Sequence, residues 1–332
     1  MIISKKSRLA YAPSADLQAK RPGTSAAEKP WHQEKSIQVG VFFRNDQRGQ
    51  AHEYDKRGID AMNQIDGKKF NVKAISLPRG ARGQATPVRT ASWSDLNDID
   101  MIYAPGAPIA NDTQVGDTPA DALMNVPKPG HVKEIERVSR APYELRLLQM
   151  AQTKGVPVLA VCAGSWRLLQ AHGGQVRTLP EQERNTHINP EAPWALEHNS
   201  KIEESSHVAD FMNARQIKTN SLHWATADES EPNKLVRRQD IRDPNTNLQV
   251  SARTSEPGQP ATVEAFETRH GVPQIGVQWH PEAYLPGMRN EETATPEQRV
   301  ISQNLFRGLS QAADSRRAKR KVLAQLEERQ KR

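Results

Sequence analysis

Short apolar runs separated by stretches of a different period set the tightest limit on what this chain can fold into. IQVGVFF (37–43), FNVKAISL (70–77), IDMIYAP (99–105) and PVLAV (157–161) are each too short for a stable helix and rich in β-formers. They are continuous rather than alternating, which is the mark of strands buried on both faces. HEYDKRGIDAMNQI (52–65) and HVKEIERVSRAPYELRLLQMAQTKG (131–155) carry helical spacing between them, with Pro142 beginning or kinking the main part of the second. Strands alternating with helices predict an α/β fold, a mostly parallel central sheet flanked by helices. ATVEAFET (261–268) and QIGVQWH (274–280) flank RHGVP, which reads as a hairpin turn.

Charge divides the chain into three parts. The 332 residues sum to +7, but residues 1–36 hold seven Lys/Arg against three Asp/Glu, and 316–332 hold eight against two, which leaves 37–315 at −3. A phosphate-tracking surface needs clustered Lys/Arg, so the body shows no clear nucleic-acid signature. Residues 1–36 read as a flexible basic segment, 37–310 as the folded domain, and 311–332 as a basic, charged helical tail. Thr295 is placed to cap the last helix, with Pro296 at its first position. Val300, Ile301, Leu305, Phe306 and Leu309 form an apolar stripe on it. Beyond the stripe, Val322, Leu323 and Leu326 sit among charges. That tail offers itself to an acidic protein partner, a membrane surface or nucleic acid, or else simply extends the docked helix in solvent. The loops 78–98 and 107–131 are long for a compact domain, and Arg79 and Arg82 in the first face either an acidic substrate or solvent. No apolar run reaches the length of a transmembrane segment or signal peptide.

The single cysteine stands where chemistry would put one. In GVPVLAVCAGSWRLLQAHGG (155–174), Cys162 ends an apolar run and a helix-like stretch follows at once. One cysteine cannot form an internal disulfide, which points to a reducing, cytoplasmic compartment. The thiol is either inert and buried or a nucleophile at the carboxyl edge of the sheet, where open α/β sheets bind ligands. Ala163, Gly164 and Ser165 are small enough for a sharp turn, the helix N-terminus favours thiolate, and the N–H of Ala163 can point at a developing oxyanion. A nucleophile needs a base. His280, in QIGVQWHPEA, ends a strand and precedes Pro281, which pushes it toward an extended conformation. Glu282 would then leave the chain on the same side and hold one ring nitrogen. The alternatives are a surface His–Glu pair or half of a metal site. No HxxxH or CxxC spacing marks a metal site, and no cofactor is called for.

PVLAVCAGSWRLLQAHGG and GVQWHPEA together resemble the nucleophile elbow and terminal His-Pro-Glu of the class I glutamine amidotransferase-like superfamily, closest to its gamma-glutamyl-gamma-aminobutyrate hydrolase (peptidase) branch. IYAPGA resembles the turn that gives the second oxyanion donor, around Gly106 and Ala107. RAPYELRLLQMAQTKGVPVL resembles the preceding helix, with Arg140 and Glu144 at matching places, and VEAFE the strand before the histidine. IKTNSLHWA resembles the pocket segment and assigns Asn220, Ser221 and His223 to substrate binding. The resemblance spans about residues 37–310 and implies a flavodoxin-like fold. It makes Cys162 the nucleophile, His280 the base and acid, and Glu282 its orienter.

The implied activity is hydrolysis of a gamma-glutamyl or similar amide through a Cys162 thioester, with a small gamma-glutamyl amide or glutamine-like molecule as substrate. The alternatives are a glutaminase subunit feeding ammonia to a separate synthetase, and a catalytically altered binding or regulatory member. Two departures bear on the choice. Ala107 stands where the family has a second glycine, and Trp166 where a glutamine-holding residue is usual, so Trp166 either meets a larger amine or joins the core. His172, His187, His198 and His207 are read as surface residues.

Overall fold

The apolar runs become the strands that organise the sheet: β1 (Ile37–Val41), β2 (Phe70–Ala74), β3 (Met101–Ala104) and β4 (Val158–Val161). These belong to a computed structural model that describes residues 37–42, 63, 65, 70–74, 91–106, 143–174, 176–189, 194–229 and 248–331. The basic segment 1–36, the loop 107–131, most of the 52–65 and 78–98 segments, and Arg79, Arg82, Ala107 and Arg140 lie outside the described residues.

Downstream come β5 (Val176–Thr178), β6 (Glu197–Ile202), β7 (Gln216–Asn220), β8 (Ala225–Ala227), β9 (Leu248–Thr254), β10 (Val263–Thr268) and β11 (Gln274–Val277). Nine strands form one sheet in the order β2-β1-β3-β4-β11-β10-β9-β6-β7, and β5 pairs with β8 in a small second ladder. Pairing is parallel from β2 through β11 and antiparallel from β11 to β7. The direction switches at β11 because the β10–β11 hairpin reverses the chain beside a strand that runs parallel to β4.

Both faces of the parallel half are covered, as continuous apolar runs require. In β4, Val158 and Ala160 pack into one core, with Leu147, Leu148, Trp166 and Leu169 from the helix over 143–154 and the helix Ala163–Ala171. Leu159 and Val161 enter the other, beneath Ile301, Leu305, Phe306 and Leu309. This two-residue alternation is the strand period written into a run that shows none in hydropathy. A buried ion pair between Glu144 and Arg167 ties the first two helices together.

The last helix runs from Pro296 to Gln330, with a capping box in which Thr295 Oγ1 accepts from Gln298 N and Gln298 Oε1 accepts from Thr295 N. Ile301, Leu305, Phe306 and Leu309 are buried as the spacing predicts, but Val300 is 52% exposed. Residue 300 falls one position off the docked face, since adjacent helical residues point about 100° apart. Gly308 is needed there, because a Cβ would come within 2.2 Å of the Phe211 ring. The helix passes residue 310 unbroken. Arg316 donates to the carbonyls of Ile99, Lys154 and Gly155, and Arg320 pairs with the buried Asp100. The docked part therefore reaches Arg320, and only the stretch holding Val322, Leu323 and Leu326 projects into solvent. No helix among the described residues is long and apolar enough to cross a membrane.

Truncation separates these parts. Removing 322–332 should change unfolding free energy by no more than about 0.5 kcal/mol, as for ordinary surface changes. Removing 295–332 takes away four buried side chains worth about 1.5–3 kcal/mol each and should leave little folded protein. Removing 316–332 should fall between the two. Urea melts of the three truncated chains read all three outcomes.

Candidate active site

Cys162 follows β4 directly, and its N–H donates to Val277 O at 2.7 Å, so the end of β4 is tied to the end of β11. Its φ of 49° and ψ of −117° lie where side chains are rarely found. Such a conformation costs about 1–3 kcal/mol and holds only where packing enforces it. The enforcement is visible on the following helix. A Cβ on Gly164 would stand 2.2 Å from Ala104 O and 3.0 Å from Pro105 O, so the helix start presses on the backbone leaving β3. Ser165 Oγ and N both donate to Cys162 O, at 2.6 and 3.0 Å, and close the turn from behind. Ala163 stands at the first position of this helix, where the backbone N–H has no acceptor within the helix.

His280 lies three residues past β11, next door to β4. Its Nδ1 is 2.7 Å from Glu282 Oε1. The sequence suggested a pair lying along extended chain, and the structure differs. Pro281–Tyr284 form a 3-10 turn with His280 at its cap, and the carboxylate reaches back across that turn. Nε2 has no hydrogen-bond partner. It borders the same small volume as the thiol: a Cβ on Gly106 would lie 2.6 Å from His280 Cε1, 3.4 Å from Nε2 and 3.0 Å from Cys162 Cβ. Glycine at 106 thus leaves the ring its place. Burial by itself would drive the imidazole toward the neutral form, but Glu282 and then Cys162 outweigh it and push His280 up to about 10. At neutral pH the ring is an imidazolium beside the sulfur. The arrangement can therefore present a sulfur nucleophile and a proton donor to one reacting centre.

The residues expected to contact substrate take different places. Trp166 is enclosed in the core, with Nε1 donating to Gln278 Oε1 at 2.9 Å and its ring edge-on to Trp224 at 5.5 Å. Gln278 in turn donates to Ser165 Oγ, so Trp166 supports the elbow from the far side of the helix. Asn220 brackets the base: its Oδ1 accepts from His280 N at 2.8 Å and its Nδ2 donates to His280 O at 3.0 Å. Ser221 Oγ donates to His187 O at 2.8 Å, and His223 is buried against Glu264. Leu222 O, between them, accepts from Cys162 Sγ at 3.7 Å. The NSLH segment thus lies beside the site, but its polar side chains serve the scaffold.

Two further departures concern residues that the sequence misplaces or leaves unmarked. His187 and His198 are buried, not on the surface, while His172 and His207 are half-buried. Trp194 sets its ring edge-to-face on His280 at 5.0 Å. Nothing local in PEAPW marks it, since its partner lies far along the chain.

Residues 124–282 match the Peptidase C26 family. A gamma-glutamyl-gamma-aminobutyrate hydrolase of Escherichia coli O157:H7 is 29% identical over 195 residues, covering 56% of this chain and 65% of the relative, so the chain spans a little under two thirds of that protein. Among solved structures, the glutaminase domain of Trypanosoma brucei CTPS with bound acivicin aligns with a TM-score of 0.53 at 13% identity, over 84% of this chain and 94% of that one. A putative GMP synthase protein from Thermoplasma acidophilum gives 0.50 at 11% identity, over 87% and 99%. At these identities the structures speak for the fold alone. The cysteine turn and the His-Pro-Glu turn both lie within the span, residues 124–282, that matches the Peptidase C26 family, and the fold is one this chain shares with those structures.

Proposed function

We propose that this protein is a cysteine-dependent hydrolase of a gamma-glutamyl or similar amide, working in the cytoplasm through a thioester on Cys162. The observation that carries the reading is Cys162 held at positive φ beside a protonated His280 that Glu282 anchors. The sulfur, as the thiolate of an ion pair with the His280 imidazolium, attacks the amide carbonyl carbon, and the carbonyl oxygen becomes an oxyanion facing the N–H of Ala163 and the turn at Gly106. As the C–N bond breaks, His280 Nε2 gives its proton to the leaving amine. Water then attacks the thioester, His280 takes a proton from it, and the thiolate leaves. Glu282 holds the ring through Nδ1 so that Nε2 keeps its aim, and Asn220 holds the backbone that carries the ring. The gamma-glutamyl class is suggested by the Escherichia coli relative. With Trp166 in the core, its bulk does not bear on the amine.

Mass-spectrometric screening of gamma-glutamyl amides with wild type and Cys162→Ala tests the activity. Turnover of at least one such amide should vanish in Cys162→Ala. His280→Ala should lose about as much, and the double variant little more, because residues acting as a unit are strongly non-additive. Turnover that persists in Cys162→Ala would sink the mechanism.

The pH dependence follows from His280. Its pKa is raised from 6.5 to about 10, so the imidazolium persists through neutrality and is lost as pH rises through about 10. The alkaline limb of kcat/KM should lie near there, reporting the coupled Cys–His pair rather than either group alone. The stability gained from the raised pKa is complete below about pH 6.5 and disappears over the same alkaline range. Glu282→Gln removes the carboxylate that raises the ring, so its limb should move to lower pH. An unchanged limb in that variant would show that Glu282 does not govern the proton.

A further inference from the structure

Behind the candidate active site, three histidines converge on one carboxylate. His187 follows the short helix Glu181–Arg184, His198 is on β6, His223 lies between β7 and β8, and Glu264 is on β10. Their exposures are 4%, 3%, 0% and 0%. His187 Nε2 and His223 Nε2 stand 3.5 and 3.2 Å from Glu264 Oε1, and His198 Nε2 stands 3.2 Å from Oε2. Yet none of the three nitrogens and neither oxygen has a hydrogen-bond partner.

The tautomers make this arrangement untenable for the bare side chains. His223 Nδ1 is 3.0 Å from Ala225 O, which can only accept, so Nδ1 carries the proton. His187 Nδ1 is 2.9 Å from Thr186 Oγ1, whose own proton goes to Glu183 O at 2.7 Å, so Nδ1 donates there too. In the neutral rings both Nε2 atoms are then lone pairs set close to carboxylate lone pairs, acceptor beside acceptor. His198 Nδ1 has no partner, so nothing but the group meeting Nε2 sets its tautomer. Protonating one ring would pair it with Glu264 and leave the others facing acceptors. Protonating all three would bury three cations around one anion, at a cost such sites avoid.

We propose that His187, His198, His223 and Glu264 form a closed structural site for a divalent transition metal, best suited to Zn2+. A metal ion accepts all four lone pairs at once and turns the conflict into coordination. Tetrahedral zinc with bonds of about 2.0–2.1 Å implies ligand–ligand edges of about 3.3–3.4 Å; His187 Nε2 and His223 Nε2 stand 3.5 and 3.2 Å from Oε1, and His198 Nε2 stands 3.2 Å from the other oxygen of the same carboxylate. Ligand atoms of His187, His198 and Glu264 all lie within 4.8 Å of one another. Three imidazoles and one carboxylate favour zinc over the oxygen-seeking Mg2+ and Ca2+. The bonds of His187 and His223 through Nδ1 are the outer partners that orient metal-bound imidazoles. Four protein ligands leave no open position, as in structural rather than catalytic sites.

The location gives the metal a purpose. His187 O accepts from Ser221 Oγ and His223 N, and Glu264 O accepts from Gln278 N. A metal here would lock the segment carrying Asn220 and Leu222 to the strand leading into His280. It would position the base without touching substrate.

The full chain, stripped with a chelator and dialysed, should take up about one equivalent of Zn2+ by elemental analysis. Co2+ should give visible bands of a tetrahedral site without a thiolate charge-transfer band, and both results should survive Cys162→Ala. Zn2+ should raise the melting temperature of stripped wild type by mass action. His198→Gln and Glu264→Gln should weaken binding by more than the roughly 10–100-fold that loss of an outer partner costs. The proposal fails if stripped wild type takes up neither ion at micromolar concentration, if the cobalt spectrum shows a thiolate band that Cys162→Ala removes, or if folded His198→Gln binds as tightly as wild type. Should both ligand variants fail to fold, the wild-type titration and cobalt spectrum decide.

Discussion

The parallel pairing of β4 with β11 is the constraint on which the site depends. Val161 and Val277 end that ladder opposite each other, and the next N–H of β4, that of Cys162, closes it on Val277 O. Two strands far apart in sequence thus finish at one level on the same sheet edge. The chain leaving β4 must turn at once into a helix, while the chain leaving β11 caps a 3-10 turn with His280. The thiol and the imidazole meet because backbone hydrogen bonds fix both exits.

Around that ladder, polar side chains act as struts. Gln278 links Trp166 to Ser165, Ser165 holds the carbonyl of Cys162, and Asn220 takes both backbone groups of His280. A buried polar group is costly unless paired, so each strut tolerates few alternative positions and rigidifies what it touches. The strained cysteine is the part of the molecule that most requires such support, and it receives it from backbone contact at Gly164 as well. The His–Glu cluster stands one layer farther back and joins the same framework through Ser221 and Gln278.

Much of this is legible in the chain itself. The apolar runs name the parallel strands, the RHGVP turn names the hairpin, and Thr295-Pro296 names the start of the last helix. Cys162, His280 and Glu282 stand out because a lone cysteine at a strand end and a histidine before Pro-Glu leave local marks. Trp166, Ser221 and His223 are assigned to the pocket by motif and found in the scaffold, because a motif gives a residue's place along the chain, not the direction of its side chain. Val300 departs for a similar reason: apolar spacing tolerates one residue of error, whereas burial does not.

What the sequence alone determined is what short-range physics writes: period, caps, turn residues, and the placing of a lone thiol at the end of a buried run. Tertiary structure decided what depends on distant partners. Trp194 against His280, the reach of Arg316 and Arg320 to the sheet's edge, and His187, His198 and His223 around Glu264 all join residues from separate elements. Four residues scattered over several strands and loops make no spacing pattern, because their convergence is created by sheet order and strand register. Those are settled only when the whole core packs.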